Sequence, residues 1–160
     1  MRVIPYRRED AVAYARRWAL GRNPAYYDFS ELGGDCTNFV SQCLYAGAGV
    51  MNTTPVFGWY YLSPDDRAAA WTGVRFLLRF LTENMGTGPF GHTVDREEIR
   101  VGDPVFLLRR DGTPYHAVLV TARTPTLLIA AHTNDALNRP LRTYSSGTPL
   151  YVHIDGVRVP

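Results

Sequence analysis

The sequence predicts an α+β domain in which N-terminal helices pack on a C-terminal antiparallel sheet. Two observations carry that prediction. Through residue 84 the apolar positions recur at helical spacing, and from Ile99 onward the period falls to two. Helices first and strands afterwards is the α+β order. At 160 residues with 46% hydrophobic composition, the chain suits a single domain, 1–160, with one substantial core.

Residues 7–20 read as an amphipathic helix with Ala11, Tyr14, Ala15, Trp18 and Ala19 on its apolar stripe. Gly21 and Asn23-Pro24 end it. An aromatic-rich loop, 24–34, carries Tyr26, Tyr27 and Phe29 into Gly33-Gly34-Asp35-Cys36. From Cys36, the positions Phe39, Val40, Cys43, Leu44 and Ala46 mark a buried helix that stops at Gly47-Ala48-Gly49, with Asp35 or Thr37 placed to cap its start. Loop 50–66 holds Trp59, Tyr60 and Tyr61, which suit either the core or a substrate wall. Residues 67–84 form a second strong helix, and the Gly/Pro stretch 86–91 breaks the pattern, leaving His92 on a surface loop. Strands follow at 105–108, 115–122 and 126–133, with a hairpin turn over 109–114 and a second turn at Arg123-Thr124-Pro125. Residues 134–139 read as a loop and 150–154 as a last strand.

Composition excludes several functions. The net charge is only +2, and all 17 basic residues are scattered arginines, so no nucleic-acid surface is expected. With no lysine, Schiff-base chemistry is absent. Cys36 and Cys43 are two helical turns apart, about 10 Å, too far for a disulfide. Neither they nor the histidines cluster as metal ligands do, so no metal or cofactor is expected. Residues 1–6 lack the apolar core of a signal peptide, and no run suits a membrane span, which leaves either the cytoplasm or a domain of an exported cell-wall protein.

The candidate chemistry starts at Cys36. A thiol at a helix start sees unpaired N–H groups and the positive end of the helix dipole, and both favour thiolate. His116 opens one strand and His132 nearly closes the next. A hairpin folded about Thr124 sets them directly opposite, on the sheet face shared with Val118, Val120 and Ala130. Cys36, His116 and His132 would then be nucleophile, base and orienter, with a thiolate–imidazolium pair. Asn134 and Asp135 are rival orienters, Tyr27, Asp35 and Asn38 are candidates for the substrate or oxyanion contacts, and His153 is the weakest histidine.

The run Asp35-Cys36-Thr37-Asn38-Phe39-Val40 resembles the D-C-[S/T]-x-F-V signature of NlpC-type, papain-like cell-wall peptidases. Val101-Gly102-Asp103-Pro104-Val105-Phe106 and His116-Ala117-Val118-Leu119-Val120 resemble the strands that follow it there, the second bearing the basic histidine, and His132 matches the third polar residue. Pro104 departs from the pattern by removing a ladder donor. Further stretches, among them Arg22-Asn23-Pro24, Tyr27-Asp28-Phe29, Gly58-Trp59-Tyr60, Trp71-Thr72-Gly73, Ala131-His132-Thr133 and Arg139-Pro140-Leu141, resemble the bacterial "putative amidase domain" family. The resemblance implies a papain-like fold, a Cys/His/polar triad and a cysteine amidase or peptidase. The implied substrate is a peptide or peptidoglycan-like amide, such as a stem peptide. Three other readings stand beside it: acyl transfer on the same triad, a catalytically retired module that binds cell wall or peptide, and a metal-dependent hydrolase.

Overall fold

A computed structural model describes all residues, 1–160. The elements in chain order are β1 (Arg2–Ile4), α1 (Arg8–Trp18), α2 (Cys36–Ala48), β2 (Tyr61–Ser63), β3 (Asp66–Arg67), α3 (Ala69–Thr72), α4 (Val74–Glu83), β4 (Gly88–Val94), β5 (Pro104–Leu108), β6 (Pro114–Ala122), β7 (Leu128–Ala131), β8 (Ala136–Pro140) and β9 (Thr148–Val159). The architecture is the expected α+β one. Seven strands form an antiparallel sheet in the order β1-β9-β5-β6-β7-β8, with β4 also pairing along β9, and β2 and β3 make a separate small ribbon. No helix is long and apolar enough to cross a membrane.

One face of the sheet carries the larger core. Phe106, Ala117, Leu119, Ala130 and Ile154 meet Ala15 of α1, Phe39, Val40 and Leu44 of α2, and Leu77 and Leu81 of α4. The other face is covered more thinly, by Ile99, Leu127 and Leu141 over Val105, Val118, Val120 and Ile129. The alternation of a strand therefore shows here as two separate apolar clusters.

Helix α2 begins at Cys36, as its periodicity predicts, because Gly33 and Gly34 take φ of 90° and 104°, which side chains with a Cβ adopt only under strain. It ends at Gly49, whose φ of 75° forms a left-handed C-cap. The helix expected over 67–84 is interrupted at Gly73, where extended backbone (ψ 121°) separates α3 from α4. Trp59 is fully buried, and Trp71 lies 4.8 Å from it, ring centre to ring centre; Tyr61 is buried beside them. These aromatics are core rather than a substrate wall.

Besides the short ribbon of β2 and β3, which falls in the stretch read as loop and helix start, three strands escape the sequence pattern. β1 is too short to show a period, β4 lies in the Gly/Pro stretch read as a break, and β8 lies in the stretch read as a loop. His92 therefore sits on a strand, directly opposite His153, although its side chain is exposed and bonded to Asp155. β9 also runs well beyond the expected 150–154 at both ends.

The register of β6 with β7 differs from the one centred on Thr124. The turn holds five residues, 123–127, so Ala122 pairs with Leu128 and the ribbon is centred on residue 125. An irregularity at Thr121 then sets Val120 opposite Ile129 and Leu119 opposite Ala130. The predicted pairing is out of step by one residue, and one residue flips a side chain to the other face. His132 follows Ala130 onto the helix face, where it stacks on Phe39 at 4.1 Å, while His116 shares the face of Val118 and Val120. The two histidines do not meet.

Candidate active site

Asp35 is the hinge of the site. It is 1% exposed and stands at the N-cap of α2, but its carboxylate does not cap the helix. One oxygen accepts from the Phe29 N–H (2.8 Å) and the Asn38 amide (3.0 Å); the other faces His132 Nδ1 at 2.5 Å. The capping role expected of Asp35 or Thr37 is therefore not realised, since Asp35 is engaged by side chains behind the helix. Three donors and full burial also remove Asp35 from reach of a substrate.

His132 is 1% exposed, and its Nε2 faces the Trp18 carbonyl at 2.8 Å. Nδ1 thus faces a carboxylate, while Nε2 has an acceptor in the Trp18 carbonyl and a donor in Arg22 Nη1 at 3.2 Å, so the ring is fully engaged inside the protein. Arg22 closes the cluster from outside, with Nη1 2.8 Å and Nη2 3.1 Å from the Asp135 carboxylate and Nε 3.7 Å from Asp35. Thr133 adds a hydroxyl that accepts from the Asp35 N–H at 3.0 Å. This network ties the end of α1, the loop before α2 and the end of β7 together. It positions Cys36 by holding the residue before it.

Several expected roles therefore change. His132 makes no hydrogen bond to His116, so it does not orient that ring. Asp135 is taken by Arg22, and Asn134, at φ 57° in an exposed turn, bonds to neither histidine. Asn38 is consumed inside the protein: its amide nitrogen donates to Tyr27 O and Asp35, and its oxygen accepts from Trp71 Nε1 at 3.0 Å. Tyr27 is 45% exposed, with its ring edge on Phe29 and its backbone N–H donated to the Tyr61 hydroxyl. His153 bonds to Asp103, which also takes Arg8 and the Ile154 N–H, a staple between α1 and β9.

Cys36 and His116 have the opposite character. Cys36 is partly exposed at the first residue of α2, with the Thr37 hydroxyl 3.7 Å from its sulfur and no side chain capping the helix. His116 is 8% exposed and neither ring nitrogen has a hydrogen-bond partner. Burial, and secondarily the charge of Arg139, lowers its pKa to about 4, so the ring is neutral at pH 7. A neutral imidazole can accept the thiol proton, which replaces the expected resting thiolate–imidazolium pair. No hydrogen bond joins the sulfur to this ring, and such bonds often tighten only when substrate binds.

Tyr144 lies against His116, and sequence reasoning passed over it. Its ring lies 5.6 Å from the His116 ring, tilted by 49°; burial raises its pKa, and the charge and side-chain hydrogen bond of Arg139 oppose that rise. The Arg139 guanidinium covers the ring at 3.8 Å. No group of three or more His, Cys, Asp or Glu side chains is gathered to hold a metal ion.

A family model described as "Putative amidase domain" matches residues 5–154. A Bacillus subtilis (strain 168) protein, described as "Uncharacterized protein YhbB", is 32% identical over 124 residues. That alignment covers 76% of this chain and 39% of the relative, so the chain spans well under half of the relative's length. No solved structure matches the chain. The match over nearly the whole domain shows that the chain belongs to the "Putative amidase domain" family, whose description points to hydrolysis of amide bonds.

Proposed function

We propose that this domain is a papain-like cysteine amidohydrolase acting on a peptide amide, of the kind found in peptidoglycan stem peptides. One observation carries the reading. A partly exposed thiol opens an uncapped, buried helix, and the one histidine without a hydrogen bond is buried and neutral against the Tyr144 ring.

The Cys36 sulfur attacks the amide carbon as its proton passes to His116. A C–S bond forms, and the carbonyl electron pair moves to oxygen. The tetrahedral adduct collapses, the C–N bond breaks, and His116 returns its proton to the leaving amine nitrogen. Water then attacks the thioester while His116 takes its proton. The C–S bond breaks, the carboxylic acid leaves, and the sulfur is reprotonated. The free N–H groups at the start of α2, that of Cys36 first, face the developing oxyanion with the favourable end of the helix dipole. His132 and Asp35 act through the backbone they hold rather than on the substrate.

The test is turnover of purified peptidoglycan fragments, with product amines labelled and identified by mass spectrometry. The expected result is release of a new amino group that Cys36→Ala abolishes. Release that persists in Cys36→Ala, or that a chelator stops, defeats the cysteine mechanism. Addition of a primary amine separates acyl transfer from hydrolysis, because transfer yields a new amide. A wild-type protein that binds the fragments but releases nothing marks a retired binding module.

A further inference from the structure

We propose that a cavity between loop 52–58 and α4 binds an uncharged aromatic group that carries a carbonyl, at a site separate from Cys36. The cavity holds about 520 Å³, inside the roughly 300–1,000 Å³ range of small-molecule sites. No residue of the Cys36 site lines it. Its back wall is Phe80, stacked on the fully buried Trp59 at 5.8 Å. Its rim carries Val56, Phe57, Phe76 and Met85, four of the ten large apolar side chains that the protein leaves exposed. Apolar side chains gathered around one hollow mark a binding surface, whereas scattered ones need no explanation.

The loop is built to hold this shape. Asn52 and Trp59 exchange both backbone hydrogen bonds, at 2.9 and 2.7 Å, and so close the segment between them. Gly58 packs so tightly on the Asn52 and Thr54 carbonyls that a Cβ there would come within 2.3 Å of each. Val56 is held at φ 68°, a left-handed conformation that a β-branched residue adopts only under strain. Strain of this kind gathers at ligand clamps.

Asn52 says what the occupant carries. The residue is 8% exposed, and its Oδ1 accepts from the Thr54 N–H at 3.0 Å. That bond orients the amide and leaves Nδ2 as a donor with no protein partner, beside Gly86 in the cavity lining. The neighbouring Asn84 is already spent, since its amide donates to the Thr87 and Pro89 carbonyls and accepts from the Gly86 N–H. A donor nine-tenths buried among apolar walls is satisfied by an acceptor that the ligand brings. Arg79 and Glu83, the charged residues of the lining, pair with each other at 2.7 Å, so the rim carries no net charge. The occupant is therefore uncharged, aromatic enough to lie among phenylalanine rings, and provided with a carbonyl oxygen for Nδ2.

The test uses two probes that differ only at the carbonyl. Acetophenone has it, and ethylbenzene has a methylene in its place. Each is titrated into isotope-labelled protein while backbone and side-chain amide shifts are followed by NMR. Saturable shifts are expected at the Asn52 side chain and in the loop, with acetophenone bound more tightly. Asn52→Asp keeps the oxygen that holds Thr54 and replaces the donor with a second acceptor. It is expected to weaken acetophenone by about 10-fold and leave ethylbenzene unchanged. Gly86→Ala, whose methyl would come within 3.3 Å of Nδ2, is expected to act in the same direction. Phe57→Ser removes an exposed wall and is expected to weaken both probes.

Equal affinity of the two probes for the wild type, or equal losses of both in Asn52→Asp, overturns the proposal. So does a titration with no saturable shift in the loop, or with shifts centred on Cys36 and His116. A wild type that self-associates and becomes monomeric in Phe57→Ser makes this face a contact between copies of the chain, and overturns the proposal as well. Tighter binding of acetophenone that Asn52→Asp and Gly86→Ala both erode establishes the site, whatever the fate of Cys36 as nucleophile.

Discussion

His132 engages both ring nitrogens inside the protein, with the Asp35 carboxylate and the Trp18 carbonyl among their partners, whereas His116, one residue out of step with it, engages neither. Both rings are buried on the same sheet. The first is locked against a buried carboxylate, and the second is held neutral with its lone pair unused. A satisfied buried histidine stabilises; an unsatisfied one costs stability and keeps chemical capacity. The pair shows how one sheet can divide structural and chemical work between identical side chains.

That contrast can be broken by substitution. His116→Ala is expected to reduce ester acylation and amide turnover by about 10³-fold, the loss of a general base, with thermal unfolding nearly unchanged. His132→Ala is expected to do the reverse. It strands the Asp35 charge in the interior and costs about 3–5 kcal/mol, read as a fall of roughly 10–15 °C in midpoint, and activity is lost only as the fold is. If His116→Ala unfolds the protein while His132→Ala leaves it stable, the division of roles is reversed.

Acid sharpens the same comparison. The folded pKa of His116 is about 4, below the 6.5 of the unfolded chain. The unfolded state therefore binds a proton first as pH falls, and this contribution to stability is complete above pH 6.5 and lost on the way down to about 4. The loss is on the order of 3 kcal/mol at most. Urea midpoints of wild type and His116→Asn, compared at pH 7 and 4.5, are expected to move in the variant's favour at the lower pH, because only the wild type loses this contribution. Parallel shifts would show that His116 is not the source. The smallest effect is at Thr133, where Thr133→Val removes the acceptor for the Asp35 N–H and is expected to cost about 1 kcal/mol in the same measurement.

Much of this fold was legible in the chain. The start of α2 at Cys36 and its stop at Gly49 follow from two positive-φ glycines, an apolar period and a glycine C-cap, all local causes. β5 and β6 announced themselves by β-rich runs with a hairpin turn between them. β4 and β8 did not, because a strand in a Gly/Pro stretch or at the end of the sheet owes its state to its neighbour's unpaired ladder. Cys36 and His116 were named from the sequence as candidates, and the structure leaves the first partly exposed at a helix start and the second without a hydrogen bond. The placing of His132 failed because one irregularity at Thr121 and a five-residue turn change register without leaving a mark in the hydrophobic pattern.

By itself the sequence determined the helix that presents Cys36 and the order of helices before strands. These depend on residues within a few positions of one another, where periodicity, turn chemistry and capping act. Only the tertiary structure decided that Asp35 would face His132 across 97 residues, that His116 would be left without a partner, and that Tyr144 would come to lie against it. Those outcomes hang on strand register and on which buried polar group reaches an acceptor first, and neither is encoded in any short stretch of chain.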